Sequence, residues 1–273
     1  MSTQRTPHER LLMDPGWRFH RGDIVPAAGK TQSDAYSSVK TGHASGPAGM
    51  NWDDYDWRVV DLPHDFVVEG VFTPEEEVSH GFLPTGVGWY RKSFVLPATD
   101  RGRRLWLEFD GVFRDATIWL NGHRLGRHSS GYIGCRYEIT DQANYGGENV
   151  LAVRVDATGL EGWWYEGGGI YRHVWLVKTD TVAVAPWGVF VHAEVSEDLG
   201  TAEVQIQTEL QNERETMAEA EVASTVVDAE GEEVAGVISV VTVPPGESLT
   251  LTQEATLEQV ELWSVDRPYL YRL

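Results

Sequence analysis

The sequence predicts an all-β chain folded as two β-sandwiches in series. Three observations predict it: apolar and polar residues alternate with period two in many short segments, an Asn-Gly pair supplies a strong hairpin signal, and the texture of the segments changes once, near residue 180. A length of 273 residues exceeds one small sandwich and suits two domains of ordinary size, and a hydrophobic content of 41% is ample for real cores.

In chain order, residues 27–49 are rich in Ala, Gly and Ser, lack periodicity, and read as a long excursion. Trp89-Tyr90-Arg91-Lys92 leads into a strand at 93–96, with Trp89 and Phe94 assigned to the core and Arg91 to a carboxylate partner. Residues 105–109 and 116–120 alternate as strands. Asn121-Gly122 follows; both residues tolerate φ > 0, so the pair is assigned a turn role and nothing more. Residues 150–155 form a strand entered through turn residues 146–149, and 173–177 form an apolar strand. Beyond about residue 179, 202–210 alternates regularly and 221–227 and 248–252 continue the style, with turns at 228–231 and 244–247. Short, evenly spaced strands with acidic outer faces and few aromatics point to an immunoglobulin-like sandwich. The charge run at 213–221 reads as a solvated face, and no heptad, repeat or long helix is visible.

Composition narrows the function classes. All eleven tryptophans except Trp263 precede residue 190, which gives the two parts different characters. The formal charge of −20 argues against a nucleic-acid partner, because phosphate binding needs a basic surface, and suits a neutral ligand. Cys135 is the single cysteine, so no intrachain disulfide forms and a reducing compartment is expected. The first seven residues lack the apolar core of a signal peptide, and no run approaches a membrane span. A cytoplasmic protein with no membrane partner is the expectation. The nine histidines show no paired ligand spacing, so no metal is assigned to the chain.

The run Trp163-Trp164-Tyr165-Glu166-Gly167-Gly168-Gly169-Ile170-Tyr171-Arg172 is the most informative stretch. Stacked aromatics beside a flexible glycine turn suit a flat, polyhydroxylated ligand such as a sugar ring, whose C–H face packs on an aromatic face. The same residues also suit a plug that closes the end of a sandwich, the commoner fate of buried aromatics.

Other motifs bear on that choice. They are Trp57-Arg58 with Pro63-His64-Asp65-Phe66, Gly81-Phe82-Leu83-Pro84 with Gly88-Trp89-Tyr90-Arg91, Phe109-Asp110-Gly111, Ile118-Trp119-Leu120-Asn121-Gly122, Gly131-Tyr132, and Leu262-Trp263-Ser264 with Pro268-Tyr269-Leu270-Tyr271. In this order and spacing the chain resembles the N-terminal part of glycoside hydrolase family 2 enzymes, the β-galactosidase-like branch in particular. The resemblance implies a jelly-roll, galactose-binding-like domain over 1–180, then an immunoglobulin-like domain over 181–273 that is cut short, then a catalytic barrel. A barrel needs about 250 residues of alternating strands and helices, and the 273 residues hold none of it. Retaining glycosidases use two carboxylates about 5–5.5 Å apart, and in this family both are glutamates of the barrel. No catalytic residue is therefore assigned, and the chain alone is expected to be inactive. The resemblance also implies Mg²⁺ for the parent enzyme, with ligands mainly in the barrel. The implied partners are a β-galactoside or related carbohydrate, the chain's own barrel, and a second copy in a homo-oligomer.

Loops 79–88 and 160–169 are the functional candidates, because in family members loops of the first domain shape the pocket for the terminal sugar. His80, Trp163, Trp164 and Glu166 are the candidate substrate-binding residues. The family often has an Arg where Trp163 stands, and the nearest carboxylates are Glu161 and Glu166, so polar sugar contacts do not carry over one to one. Pro63-His64-Asp65 invites a His–Asp catalytic reading, but adjacent residues of an extended chain face opposite ways. A structural role is preferred, with Pro63 at a turn and Asp65 bonding backbone N–H groups. Arg172 either clamps the glycine loop through carbonyls or pairs within the sandwich. A β-glucuronidase or β-mannosidase of the same family, and a free-standing carbohydrate-binding module, stand as the alternatives.

Overall fold

The computed structural model of the protein describes residues 6–24, 44–159 and 166–273. Its regular structure is fifteen strands and three short 3-10 segments among those residues. No helix there is long and apolar enough to cross a membrane. The chain divides into two compact units, Met1–Lys178 and Thr179–Leu273.

The first unit is the jelly-roll sandwich. One sheet is built, in order, from β1 (His8–Leu12), β10 (Val174–Thr179), β5 (Arg104–Phe109) and β8 (Cys135–Glu138). The other runs β3 (Arg58–Val60), β2 (Trp17–Arg21), β4 (Val87–Val95), β9 (Glu148–Asp156), β6 (Ala116–Leu120) and β7 (His123–His128). Alternation decides what each strand buries. β5 turns Leu105, Leu107 and Phe109 inward, and β6 turns Ala116, Ile118 and Leu120 inward. They meet Trp17, Phe19, Tyr90, Leu151, Val153 and Val174 in one core between the sheets. On the opposite face of β5 and β10, arginines cover the remaining indoles: Arg136 lies over Trp106 and Arg10 over Trp175.

The strand expected at 93–96 is the tail of the longer β4, which buries five residues in succession, 87–91. Both faces of β4 are covered. Residues 44–57 lie over its outer face, where Ala48 and Trp57 pack with Val87 and Trp89, and Trp89 stacks on Trp119 at 5.6 Å between ring centroids. Arg91 pins this cover: it donates to Asp54 Oδ2 at 2.7 Å and to the carbonyls of Pro47, Gly49 and Met50. The carboxylate partner expected for Arg91 is thus present, with three carbonyls besides. Most of the expected excursion, 27–43, lies outside the described residues.

Asn121 and Gly122 turn the chain between β6 and β7 with φ of 52° and 83°, a region such residues enter at low cost. The purely turn role expected for Asn121 needs correction. Its buried amide donates to Gln142 O at 2.8 Å and Asn149 Oδ1 at 2.9 Å, and its Oδ1 accepts from Val150 N at 2.9 Å. A two-residue turn signal carries no information about such a long-range node.

The second unit is the immunoglobulin-like sandwich. β11 (Val182–Val195), β12 (Thr201–Asn212) and β15 (Ser248–Glu258) form one sheet, and β13 (Ala218–Val227) with β14 (Glu233–Val243) the other. Alternation in β12 buries Ala202, Val204 and Ile206 against Val226 and Leu257 in a small aliphatic core. Two buried amides tie this unit together. Gln253 accepts from Ser224 Oγ at 2.7 Å and donates to Ser239 Oγ at 3.0 Å and Val222 O at 3.2 Å, joining β15 to the second sheet. Asn212 donates to the carbonyls of Thr216 and Val243, both at 2.9 Å. The turns expected at 228–231 and 244–247 are present, with Gly231 and Gly246 at φ of 91° and 67°.

Candidate functional site

The site is built on a joint between two segments far apart in sequence. His64 N donates to Ile170 O and Phe66 N to Gly168 O, both at 2.8 Å, so 64–66 and 168–170 run side by side. Gly169 also exchanges both backbone hydrogen bonds with Phe113, at 2.6 and 2.9 Å. Asp65 closes the joint: its Oδ1 accepts the N–H groups of Val67 at 2.9 Å, Val68 at 3.3 Å and Gly168 at 2.9 Å. This is the backbone role expected of it. Pro63, joined to Leu62 by a cis peptide bond, heads the segment.

His64 serves a different neighbourhood from Asp65, as alternation requires. It is buried, with Nδ1 2.7 Å from the Tyr90 hydroxyl and Nε2 2.6 Å from the Arg58 guanidinium and 3.3 Å from Glu69 Oε1. Burial pulls its pKa below the ordinary value, the Glu69 carboxylate opposing that pull. The same environment pushes the Tyr90 hydroxyl well up, burial being the main cause. The pair is a structural hydrogen-bond relay, and His64 forms no couple with Asp65.

The three glycines are a close-fitted joint, which corrects the flexible turn expected from sequence. A Cβ on Gly167 would lie 1.8 Å from Asp65 Oδ2, and one on Gly168 would lie 2.7 Å from Val67 Cγ2. On Gly169, at φ 139°, it would lie 2.4 Å from His64 O and 2.5 Å from the Tyr90 hydroxyl. Glycine is required here because the side chains of Asp65 and Val67 fill the Cβ positions of Gly167 and Gly168, and the His64 backbone fills that of Gly169.

Glu166 stands immediately before the joint with its side chain 7% exposed. Its Oε1 accepts from the Tyr132 hydroxyl at 3.3 Å, and its Oε2 lies 4.0 Å from His80 Nε2. His80 ends the 3-10 turn Val78–His80, which is closed by Gly81 in a left-handed conformation, and is 1% exposed. A separation of 4.0 Å is within Coulombic reach and too long for a hydrogen bond. Among the described residues, neither ring nitrogen of His80 nor Oε2 of Glu166 has a hydrogen-bond partner. Leaving such groups unmet costs about 1–3 kcal/mol each, and a native structure that tolerates several together marks a place to look for function.

The structure thus brings together His80 and Glu166, two of the four residues proposed from sequence. Trp163 and Trp164, like Glu161, lie outside the described residues. Tyr132 was missed as a partner, although the Gly131-Tyr132 motif signalled its position. A Cβ on Gly131 would lie 2.1 Å from Phe113, and the Phe113 and Tyr132 rings meet edge to face at 5.6 Å. Arg172 is exposed with its stem against Gly111, and makes no hydrogen bond to the glycine joint among the described residues. A His–Glu couple can accept from and donate to hydroxyls, but it is not the pair of carboxylates that hydrolyses a glycosidic bond. No grouping of three or more His, Cys, Asp or Glu that could hold a metal ion occurs among the described residues, so no Mg²⁺ ligand is assigned to them.

Comparison with known proteins gives this architecture its relatives. The family model described as "Glycosyl hydrolase 2 galactose-binding domain-like" matches residues 60–166, and that described as "Glycosyl hydrolases family 2" matches 183–273. The chain is 41% identical, over 98% of its length, to beta-galactosidase BoGH2A of Bacteroides ovatus, of which it covers 29%. It is 29% identical, over 82% of its length, to a beta-glucuronidase of Formosa agariphila, of which it covers 25%. A solved glycosyl hydrolase family 2 member from Bacteroides cellulosilyticus is similar with a TM-score of 0.84 and 34% identity, over 96% of this chain and 32% of that one. The chain spans less than a third of the length of each of these relatives. With both sandwiches matched in order, the chain belongs to glycosyl hydrolase family 2 and carries that family's galactose-binding-like and immunoglobulin-like domains.

Proposed function

We propose that the chain is a non-catalytic portion of a retaining β-glycosidase that hydrolyses terminal β-D-galactosides, and that it shapes the entrance to the active site. The observation that carries this reading is the 41% identity, over 98% of the chain, to beta-galactosidase BoGH2A. The carboxylates that break the bond belong, in this reading, to the rest of the enzyme. The role proposed for His80 and Glu166 is to meet a sugar hydroxyl, which both donates and accepts, using the bonding capacity the fold leaves unspent. Trp163 and Trp164 are proposed to offer an apolar face to the ring.

A β-glucuronidase is the second reading, favoured by the 29% identity to the Formosa agariphila enzyme. A glucuronide brings a carboxylate, which a chain of net charge −20 does not attract without a basic clamp from elsewhere. The test assays the encoded gene product and the 273-residue chain side by side on nitrophenyl β-galactoside, β-glucuronide and β-mannoside. Galactosidase activity in the gene product and none in the chain is the expected outcome. Activity on the glucuronide alone replaces the sugar, and activity in the isolated chain removes the non-catalytic role. In the active gene product, Glu166→Gln is expected to raise KM about tenfold, equivalent to about 1.4 kcal/mol.

A further inference from the structure

A cavity lies at the other end of the first sandwich from the glycine joint. β4 and β9 pair antiparallel, with Val87 opposite Asp156 and Val95 opposite Glu148. The joint packs at the Val87 end, where Gly168 presses on Ala157 and Ala157 N bonds Gly86 O. The Val95 end continues into Leu96, which bonds Gly146 and Gly147. The two ends of β4 lie roughly 26 Å apart, at about 3.3 Å per residue. Beside Leu96, an open surface cavity of about 470 Å³ is lined by Arg101, Thr140, Asp141, Asn144 and Tyr145, of which Arg101, Asp141 and Asn144 are exposed.

Its polar groups face solvent and are open to an incoming ligand. The Arg101 guanidinium sits 5.2 Å from the centroid of the Tyr145 ring. Neither it nor the Asp141 carboxylate has a hydrogen-bond or ion-pair partner among the described residues. Asn144 donates its amide to Glu148 O at 3.1 Å and leaves its side-chain carbonyl unused, while the Tyr145 hydroxyl donates to Thr140 O at 3.0 Å and fixes the ring. Neighbouring charges behave otherwise: Lys178 Nζ is 2.7 Å from Asp100 Oδ2, and Arg103 is paired with Glu9. Gly102, at φ 87°, has nothing within 4 Å of its Cβ position, so that wall is open. One guanidinium and one carboxylate make a formally neutral lining, and a chain of net charge −20 disfavours an anion.

We propose that this cavity binds a neutral pyranose, remote from the Glu166 loops and independent of the enzyme reading. The Arg101 N–H groups donate to sugar oxygens, Asp141 and the Asn144 carbonyl accept from hydroxyls, and Tyr145 meets the apolar C–H edge. The test is an amide-resolved NMR titration of the 273-residue chain with methyl β-galactoside, methyl β-glucoside and methyl α-mannoside. At least one sugar is expected to shift the amides of Arg101, Gly102, Asp141 and Asn144 saturably, with Kd on the order of millimolar. Arg101→Gln and Asp141→Asn are each expected to weaken binding about tenfold. Both substituted side chains are exposed, so spectral dispersion is expected to persist and report an intact fold. The proposal fails if no sugar gives saturable shifts there, if shifts are confined to residues 79–88 and 166–169, or if binding survives both substitutions.

Discussion

Each sandwich is held together internally by contacts of a different range. In the first, a carboxylate and three glycines lock segments about a hundred residues apart, and bulky aromatics fill the core. In the second, short aliphatic side chains from alternating strands meet in a small core, and two buried amides supply the ties. The first arrangement fixes loop shape to within an atom's width, which is what a binding surface needs. The second fixes strand register and leaves long edges: β11 exposes Val184, Trp187, Phe190 and Val191. Rigid loops and rigid strands are thus separate achievements, reached here by separate means.

The comparison is broken most forcefully at Gly169. Gly169→Ala places a Cβ 2.4 Å from the His64 carbonyl at φ 139°, and is expected to destabilise the first unit by about 3 kcal/mol or more. Segment-resolved hydrogen exchange is expected to show faster exchange at 64–68 and 166–170, with 201–258 unchanged. Equal loss of protection in both units would erase the distinction drawn between them.

A smaller and opposite perturbation is Gln253→Ala. It strands the buried Ser224 hydroxyl and the Val222 carbonyl, at an expected cost of about 1–3 kcal/mol. Exchange should rise across 218–258 and leave the first unit's core untouched. The smallest effect is a pH dependence confined to the first unit. Burial holds His64 below its ordinary value of 6.5 in the folded state. Above 6.5 the imidazole is neutral in both states and the full stability is present. As pH falls below 6.5 the unfolded chain takes up the proton first, so stability drops until pH passes the folded value. Urea midpoints between pH 7.5 and 5 should show that slope, and His64→Gln should flatten it.

The parts that were legible in sequence share one physical property. Strands with one buried face, such as 105–109, 116–120 and 202–210, announce themselves because alternation is the direct imprint of that face. β4 was only half legible because a second layer, pinned by Arg91, buries its outer face and erases the alternation. β11 was hidden by its own irregularity, since its register shifts between Val184 and Val189. At the candidate site, the residue types of His80 and Glu166 were visible, but their meeting depends on two loops far apart in sequence, one of which Asp65 holds through Gly168. The glycines were legible as glycines and read as a flexible turn, because sequence does not say whether a missing Cβ gives freedom or room for a neighbour.

The joint at Asp65 also orders events during synthesis. Gly168 follows Asp65 by 103 residues, roughly 5–20 s of translation at about 5–20 residues per second. Through that interval Asp65 has only its local amides, and β1 lacks the neighbouring strand β10, which begins at Val174. Completion of the first sheet and completion of the candidate site are therefore one late event. An interrupted or prematurely cleaved chain carries neither, so an intact joint doubles as a certificate that the domain has been made to its end.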